Sequence, residues 1–487
     1  MRLPKLCGGD LELGNFIAGI ERQDGSGAQA SRALLRAMVR ETGGIRAEPR
    51  IQRVRFGRSG GRRRANPQDT GRVFLPTNGG SVYIDLDHLE LCLPEVTSAF
   101  DHVAAWHALL SVAQRALARA NRDRSPDRQI QVLVNNSDGW GNSYGGHLNI
   151  LVGRPAWDGM MRRRLHHLAC LASYQASAVL FTGQGKVGSE NERPAASYQL
   201  SQRADFIETL LGPQTTFFRP LVNTRDEPHS DHARLHLIAF DTTLAETACL
   251  LRVGVTQLIL ALIEAEQVNP ALALDDPVDA LQRWSHDPSL TAKAALANGG
   301  AVTAVELQQR FLDEAVAGLA RGDFDGTVPR AGEIIAIWQE TLDQLARRDW
   351  ARLARRLDWA AKLALIERAR VQHGFDWSAP EIKLLDHVYA SLDPDEGVFW
   401  SWSNAGIMER VVDPARIDHF RTEPPEDTRA FARAHLLREA GADRIDQVDW
   451  DRISFRFGPT RATRTLLMPN PLAGGLEPAL VNHDAAR

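Results

Sequence analysis

Three short runs alternate apolar and polar side chains, and in each the polar positions are acidic or phenolic. Along a strand successive side chains point to opposite faces, so such runs can set their acids on one face of a sheet. In 81–86, Val82, Ile84 and Leu86 face one way while Tyr83 and Asp85 face the other. The run 89–93 turns its leucines inward and leaves Glu90 opposite, and near the start Asp10 and Glu12 share a face with Leu11 and Leu13 behind them. Further strands are predicted over 129–134, 147–152 and 234–240.

Helical periodicity interrupts these runs. Residues 103–120 keep Val103, Trp106, Leu110, Ala113 and Leu117 on one stripe, and 161–180 and 244–266 behave alike. The stretch 305–372 is expected to be wholly helical, with Trp338 and Trp359 in its core, and a strand returns around 450–457. The expectation is an α+β protein with a catalytic domain over 1–405 and a small C-terminal domain over 406–487.

A formal net charge of -4 gives no overall reason to expect nucleic acid as partner. Cys7, Cys92, Cys170 and Cys249 form no closely spaced pair, so buried free thiols are expected rather than disulfides or a zinc site. Residues 1–14 lack an apolar core, and 250–266 carries Arg252, Gln257, Glu264 and Glu266. That stretch is predicted to be a buried helix and not a membrane span, with the cytoplasm as default compartment.

Magnesium takes oxygen ligands and usually holds nucleotide phosphates at the same time. Asp10, Glu12 and Glu90 suit such a site, and the Tyr83 phenol offers a further oxygen. Asp85, flanked by apolar residues, is the candidate for direct chemistry as nucleophile or general base. Residues 135–149 place glycines at 139, 141, 145 and 146, allowing a tight turn and close backbone approach, before His147 opens a strand. A third cluster holds Arg219, Asn223, Arg225, Asp226, His229, Arg234 and His236. Its guanidinium density fits a phosphate or a substrate C-terminus; the alternative is an internal ion-pair network, with Arg225 and Asp226 holding a turn. Residues 43–71 contain Arg46, Arg50, Arg53, Arg55, Arg58, Arg62, Arg63 and Arg64 amid small and polar residues. They make either a solvated loop or an electropositive lid that steers an acidic protein toward the site.

These segments resemble the family of the Pup ligase and the Pup deamidase/depupylase, which attach the prokaryotic ubiquitin-like protein Pup to lysines or remove it. The likeness includes Asn223-Thr-Arg-Asp-Glu-Pro-His229, Tyr198-Gln-Leu-Ser-Gln-Arg-Ala-Asp205, Ser285-His-Asp-Pro-Ser-Leu290 and Leu357-Asp-Trp-Ala-Ala-Lys-Leu363. It continues through Trp377-Ser-Ala-Pro380, Pro424-Pro-Glu-Asp-Thr-Arg429 and Val448-Asp-Trp450. The resemblance implies a glutamine-synthetase-like curved antiparallel sheet with flanking helices, and binding of ATP and Mg2+. It makes Asp85 the catalytic aspartate and Tyr83 and Glu90 metal ligands, with Asp10 and Glu12 as acids of a neighbouring strand. It sets Trp450 near the nucleotide; from the residues themselves His147 is read as a phosphate or metal group, Arg225 and His236 as phosphate-binding, and Arg219 and Arg234 as substrate-binding.

The chain is more similar to the depupylase. The spacing from Asp85 to Glu90, the Trp-Ser-Ala-Pro and His-Asp-Pro-Ser-Leu segments and the long segment before Ser81 carry that distinction. It departs from the family pattern at Asp10, usually Glu; at Ser81, usually Arg; at Leu148, usually an acid; and at His88-Leu-Glu-Leu91. A divergent paralog is therefore expected. Its implied activity is amide or isopeptide hydrolysis at the C-terminal Glu or Gln of Pup, or of a Pup-like modifier, and on the modifier's protein conjugates. An isopeptide ligase and a non-catalytic modifier-binding protein are the alternatives.

Overall fold

The computed structural model describes residues 2–46, 71–226, 229, 231–457, 462–476 and 479–481. Arginines 50, 53, 55, 58, 62, 63 and 64 of the arginine-rich segment, and Glu227 and Pro228, lie outside the described residues. The chain divides into two compact units. One comprises Met1–Gly14, Thr97–Val103 and Leu133–Asp413, the other Asn15–Val96, Ala104–Val132 and Pro414–Arg487.

In the first unit the strand Gly146–Gly153 pairs antiparallel with Cys7–Ile17 on one side and His232–Leu237 on the other. The register sets Asp10 opposite His147 and Asn149 opposite His236. Alternation then gives one face to Asp10, Glu12, His147, Asn149, Arg234 and His236. The other face carries Cys7, Leu11, Leu148, Ile150, Val152, Leu235 and Leu237, all buried. Helix Glu246–Glu264 packs against the central strand of this apolar side, and helices Ala304–Arg321 and Ala331–Arg347 pack against that helix. It is long and apolar enough to cross a membrane, yet every residue from Glu246 to Ile263 is buried in the unit. Its apolar composition therefore serves a core.

Two predicted helical stretches are broken. The run 305–372 splits into Ala304–Arg321, Ala331–Arg347, Trp350–Leu353 and Asp358–His373. Gly322 caps the first piece at φ 75, Pro329 lies in the gap that follows, and Arg348 ends the second at φ 55. Trp338 and Trp359 are fully buried, as expected. The run 161–180 opens on a π-helical turn, Gly159–Arg163, and continues as Leu165–Ser177 and Val179–Thr182.

The second unit holds an antiparallel meander of Ile45–Arg46, Val73–Phe74, Ser81–Asp85 and His88–Cys92. Helix Ser26–Thr42 packs against the Ser81–Asp85 and His88–Cys92 strands, where Val82, Leu89 and Leu91 are buried. Leu86 differs from expectation: it does not continue the strand but stands 65% exposed in the turn. Strands Ile445–Asp449, Arg452–Phe457, Ala462–Leu467 and Ala479–Val481 form a second antiparallel sheet. Phe74 and Ile45 join Leu437, Ile445, Val448 and Ile453 in one apolar cluster, which ties the 414–487 segment into this unit. All four cysteines are buried and in no disulfide.

Candidate active site

The Ser81–Asp85 and His88–Cys92 strands pair Ser81 with Cys92, Tyr83 with Glu90 and Asp85 with His88. Side-chain alternation therefore puts Ser81, Tyr83, Asp85, Glu90 and Cys92 on one face of the hairpin. Tyr83, Asp85 and Glu90 are 6%, 8% and 3% exposed, so both carboxylates are held largely away from water. The connecting residues Leu86 and Asp87 have φ 42 and 74, the double positive φ of a type I′ hairpin turn. Asp87 tolerates that backbone, whereas for Leu86 it is strained. Asn15 holds the turn in place. Its Nδ2 donates to the carbonyls of Asp87 and Gly27, both at 3.0 Å, and its Oδ1 accepts from Leu89 N–H at 2.9 Å. Asp85 is thus the last paired residue before a pinned turn.

Aromatic and cationic groups gather on the same unit. Arg72 lies over the Tyr83 ring, 4.0 Å from its centroid, and 5.7 Å from that of Trp450. Its Nη1 donates to Ser81 Oγ at 3.1 Å and to Cys92 Sγ at 3.3 Å. Trp450 meets Phe74 edge-on at 5.4 Å and Arg433 at 4.7 Å. Arg433 is fully buried; it donates to the carbonyls of Trp450 and Gly79 and forms an ion pair with Glu95, which also pairs with Arg429. Burial alone would raise the Glu95 carboxyl, but the two guanidinium groups hold it down at about 2.

The first unit carries a second cluster, which centres on Asn149. Its Nδ2 donates to Asp10 at 3.0 Å, while its Oδ1 receives Arg234 Nη1 and approaches His236 Nδ1 at 2.7 Å. His147 meets His236 edge-to-face at 4.9 Å. Both imidazoles are held well below the usual histidine range, first by burial and then by nearby positive groups. Those groups include Arg203, Arg219 and Arg234 at His147, and Arg234, Arg225 and Arg203 at His236. Both rings are therefore neutral at pH 7.

The glycine-rich loop closes beside them. Gly139 and Gly141 turn at φ 73 and 87, and Gly145 packs so near His147 that a Cβ there would meet Nε2 at 2.1 Å. Glu12 ties the loop to its strand, accepting from Gly145 N–H at 2.8 Å. Two arginines clamp its middle: Arg219 Nη2 donates to Ser143 O at 2.6 Å, and Arg203 Nη1 to Tyr144 O at 2.6 Å. Arg203 is 1% exposed, and burial pushes its guanidinium down to about 9. Sequence reasoning quoted Arg203 only inside a motif and missed Asn149 and Arg72. No periodicity marks these three, because each acts through a partner distant in sequence. Leu148 lies on the apolar face, away from His147, and is fully buried.

The third predicted cluster is rearranged. Asp226 pairs with Arg154 through two bonds at 2.8 and 3.1 Å, so the ion pair of the alternative reading runs to the start of another helix and not to Arg225. Arg225 is exposed, its N–H donating to Asn223 Oδ1, and His229 stacks on His232 at 3.7 Å.

Comparison with known proteins gives consistent results. The Pup-ligase protein family matches residues 6–454. The Pup deamidase/depupylase of Mycolicibacterium smegmatis is 38% identical over 404 residues, covering 82% of this chain and 78% of that protein. Among solved structures, the complex between Pup and its ligase PafA matches with a TM-score of 0.79 at 24% identity, over 96% of this chain and 90% of that one. PafA in complex with ADP matches with a TM-score of 0.72 at 27% identity, over 82% and 87%. The α+β fold anticipated from the sequence is thus that of the Pup ligases. Matched along nearly its whole length, this chain belongs to the Pup-ligase protein family, on the side of the depupylases.

Proposed function

We propose that the protein is an ATP- and Mg2+-dependent amide and isopeptide hydrolase of the depupylase type. It acts at the C-terminal Glu or Gln of Pup or a Pup-like modifier, and on that modifier's protein conjugates. The observation that carries this reading is Asp85, buried beside Tyr83 and Glu90 on one hairpin face, in a chain 38% identical to a Pup deamidase/depupylase. The donor set fits a hard cation: Asp10, Glu12, Tyr83 and Glu90 all offer oxygen. The neutral rings of His147 and His236, with Arg225 and Trp450, are assigned to the nucleotide, and Arg219 and Arg234 to the modifier's carboxylate. When bound, magnesium would supply positive charge, and the nucleotide would form one wall around the reacting carboxyl end.

Asp85 either adds its carboxylate to the amide carbonyl carbon or takes a proton from a water that does so. The C–N bond then breaks, and the nitrogen leaves as ammonia or as the lysine amine of a conjugate, its added proton coming from water; on the first route a water then cleaves the anhydride to Asp85, and both routes leave a carboxylate on the modifier. We assign this reaction to the cytoplasm, with neither nucleic acid nor membrane as partner.

The fold shared with PafA favours a second reading, ligation. A ligase would release ADP in step with conjugate, whereas a hydrolase need not consume ATP in each turnover. The test is Asp85→Asn assayed for cleavage of a Pup conjugate. Loss of turnover by about 10²–10⁴ with an unchanged melting temperature is expected; unchanged cleavage sinks the assignment.

A further inference from the structure

Four of the segments that carry the family resemblance meet at one open cavity of the first unit, and none of their residues enters the reaction at Asp85. The cavity measures about 370 Å³, within the range of small-ligand sites. Tyr198, His286, Pro288, Leu363 and Trp377 line it, one or two from each segment, together with Glu367 and the exposed Ser197. Its apolar wall is firmly set. Tyr198 is buried, its hydroxyl donating to Trp359 O at 2.7 Å, and Trp377 tilts against its ring at 6.0 Å. Leu363 and Trp377 pack on the apolar cluster of Tyr198, Ile366 and Ile382. Leu363 and Glu367 stand one turn apart on helix Asp358–His373, which sets a carboxylate beside that wall.

The ionisable groups of the lining are acceptors. His286 Nε2 lies 2.7 Å from Asp205 Oδ1, and Asp205 is fully buried. Burial alone would raise the Asp205 carboxyl, but hydrogen bonds from His286, Gln199 and the Glu190 N–H hold it below its usual range. An ionised carboxylate only accepts, so Nε2 carries the ring proton and Nδ1 of the neutral imidazole is an acceptor. Glu367 accepts from Arg370 Nη1 at 2.9 and 3.1 Å, which leaves further lone pairs on its two oxygens. Arg370 itself lies over the Trp377 ring at 4.2 Å, and among the described residues no lysine or arginine lines the cavity. An apolar wall beside these acceptors favours a donor that carries positive charge, whereas an anion would face Glu367 and Asp205 uncompensated. We propose that this cavity binds a primary ammonium group on an apolar stem, with His286 Nδ1 and the Glu367 carboxylate as its acceptors. Two sources offer that chemistry, the side chain of a protein lysine and a free alkylamine. The inference goes beyond the reaction at Asp85 and does not depend on it.

The experiment uses the full chain. Hexylamine, its neutral counterpart hexanol and Nα-acetyl-lysine amide are titrated by calorimetry into the wild type, Glu367→Gln and Leu363→Trp. Melting temperatures verify that each variant folds. Hexylamine should bind about ten- to a hundredfold more tightly than hexanol, the range for a charge-assisted hydrogen bond. Glu367→Gln should weaken hexylamine by about tenfold and leave hexanol unchanged, and Leu363→Trp, which fills the cavity, should abolish binding of both. Nα-acetyl-lysine amide binding as tightly as hexylamine identifies the lysine side chain as the source; binding of hexylamine alone identifies a free amine. Equal affinity for amine and alcohol, or amine binding unchanged in either variant, overturns the proposal, as does a wild type that binds no amine. Cleavage lost in Asp85→Asn with no amine bound by the wild type would sink this inference alone, and the reverse pair of results would sink only the functional reading.

Discussion

Asn149 joins three groups of the first-unit cluster. One amide donates to Asp10 and accepts from Arg234, with His236 at 2.7 Å, so the acid, the cation and the imidazole are oriented together. Asn149→Ala removes all three contacts and leaves partly buried polar groups unsatisfied. A loss of about 1–3 kcal/mol is expected, measurable as a shift of the urea midpoint at unchanged m. Asn149→Asp should do more harm to nucleotide binding, because it sets a second carboxylate beside Asp10. The acids and Asp85 were legible in the sequence because a period of two leaves a pattern. Asn149 and Arg203 were not, since their meaning depends on which strand or loop lies opposite. Leu148 shows the same limit from the other side. Its fully buried place on the apolar face follows from strand alternation, whereas comparison by position alone makes it a lost acid.

At the scale of elements, the hairpin that presents Asp85 is built on a strained turn. Leu86 at φ 42 occupies backbone space that Asn or Gly takes without penalty, and it is exposed, so its side chain contributes little packing. Leu86→Asn should therefore stabilise the protein by about 1 kcal/mol, read from the denaturant midpoint, with catalysis retained. Asn15→Ala should act in the opposite sense. It frees the carbonyls of Gly27 and Asp87 and the N–H of Leu89, at a cost of about 1–3 kcal/mol. A turnover rate that falls further than stability in that variant would show that the pinned turn aims Asp85. The alternation that revealed the strand ran one residue too far, because an apolar Leu86 fits the period as well in a turn as in a strand. The long helical stretch failed for a related reason. Apolar periodicity survives across Gly322 and Arg348, where left-handed caps end the helices without interrupting the pattern.

Across the whole molecule, buried imidazoles couple stability to pH. His102, His147 and His236 are all held well below the usual histidine value, chiefly by burial. The unfolded chain therefore binds protons on these residues below about pH 6.5, while the folded chain does not. Stability is complete above that value and falls as pH drops through it, by about 1.4 kcal/mol per pH unit for each ring. Asp358 works in the other direction. Burial pushes its carboxyl up to about 6, so the folded state takes up a proton that the unfolded state does not yet bind. Asp241, also raised by burial, adds to that opposition. Between pH 7.5 and 5.5 the buried rings cost stability and Asp358 returns part of it. Denaturant titrations at the two pH values measure the balance directly. His236→Gln, which keeps a polar group of similar reach, should make the loss smaller. If that variant shows the same pH profile as the wild type, His236 is protonated in the folded protein, and its assignment as a neutral nucleotide contact fails with it.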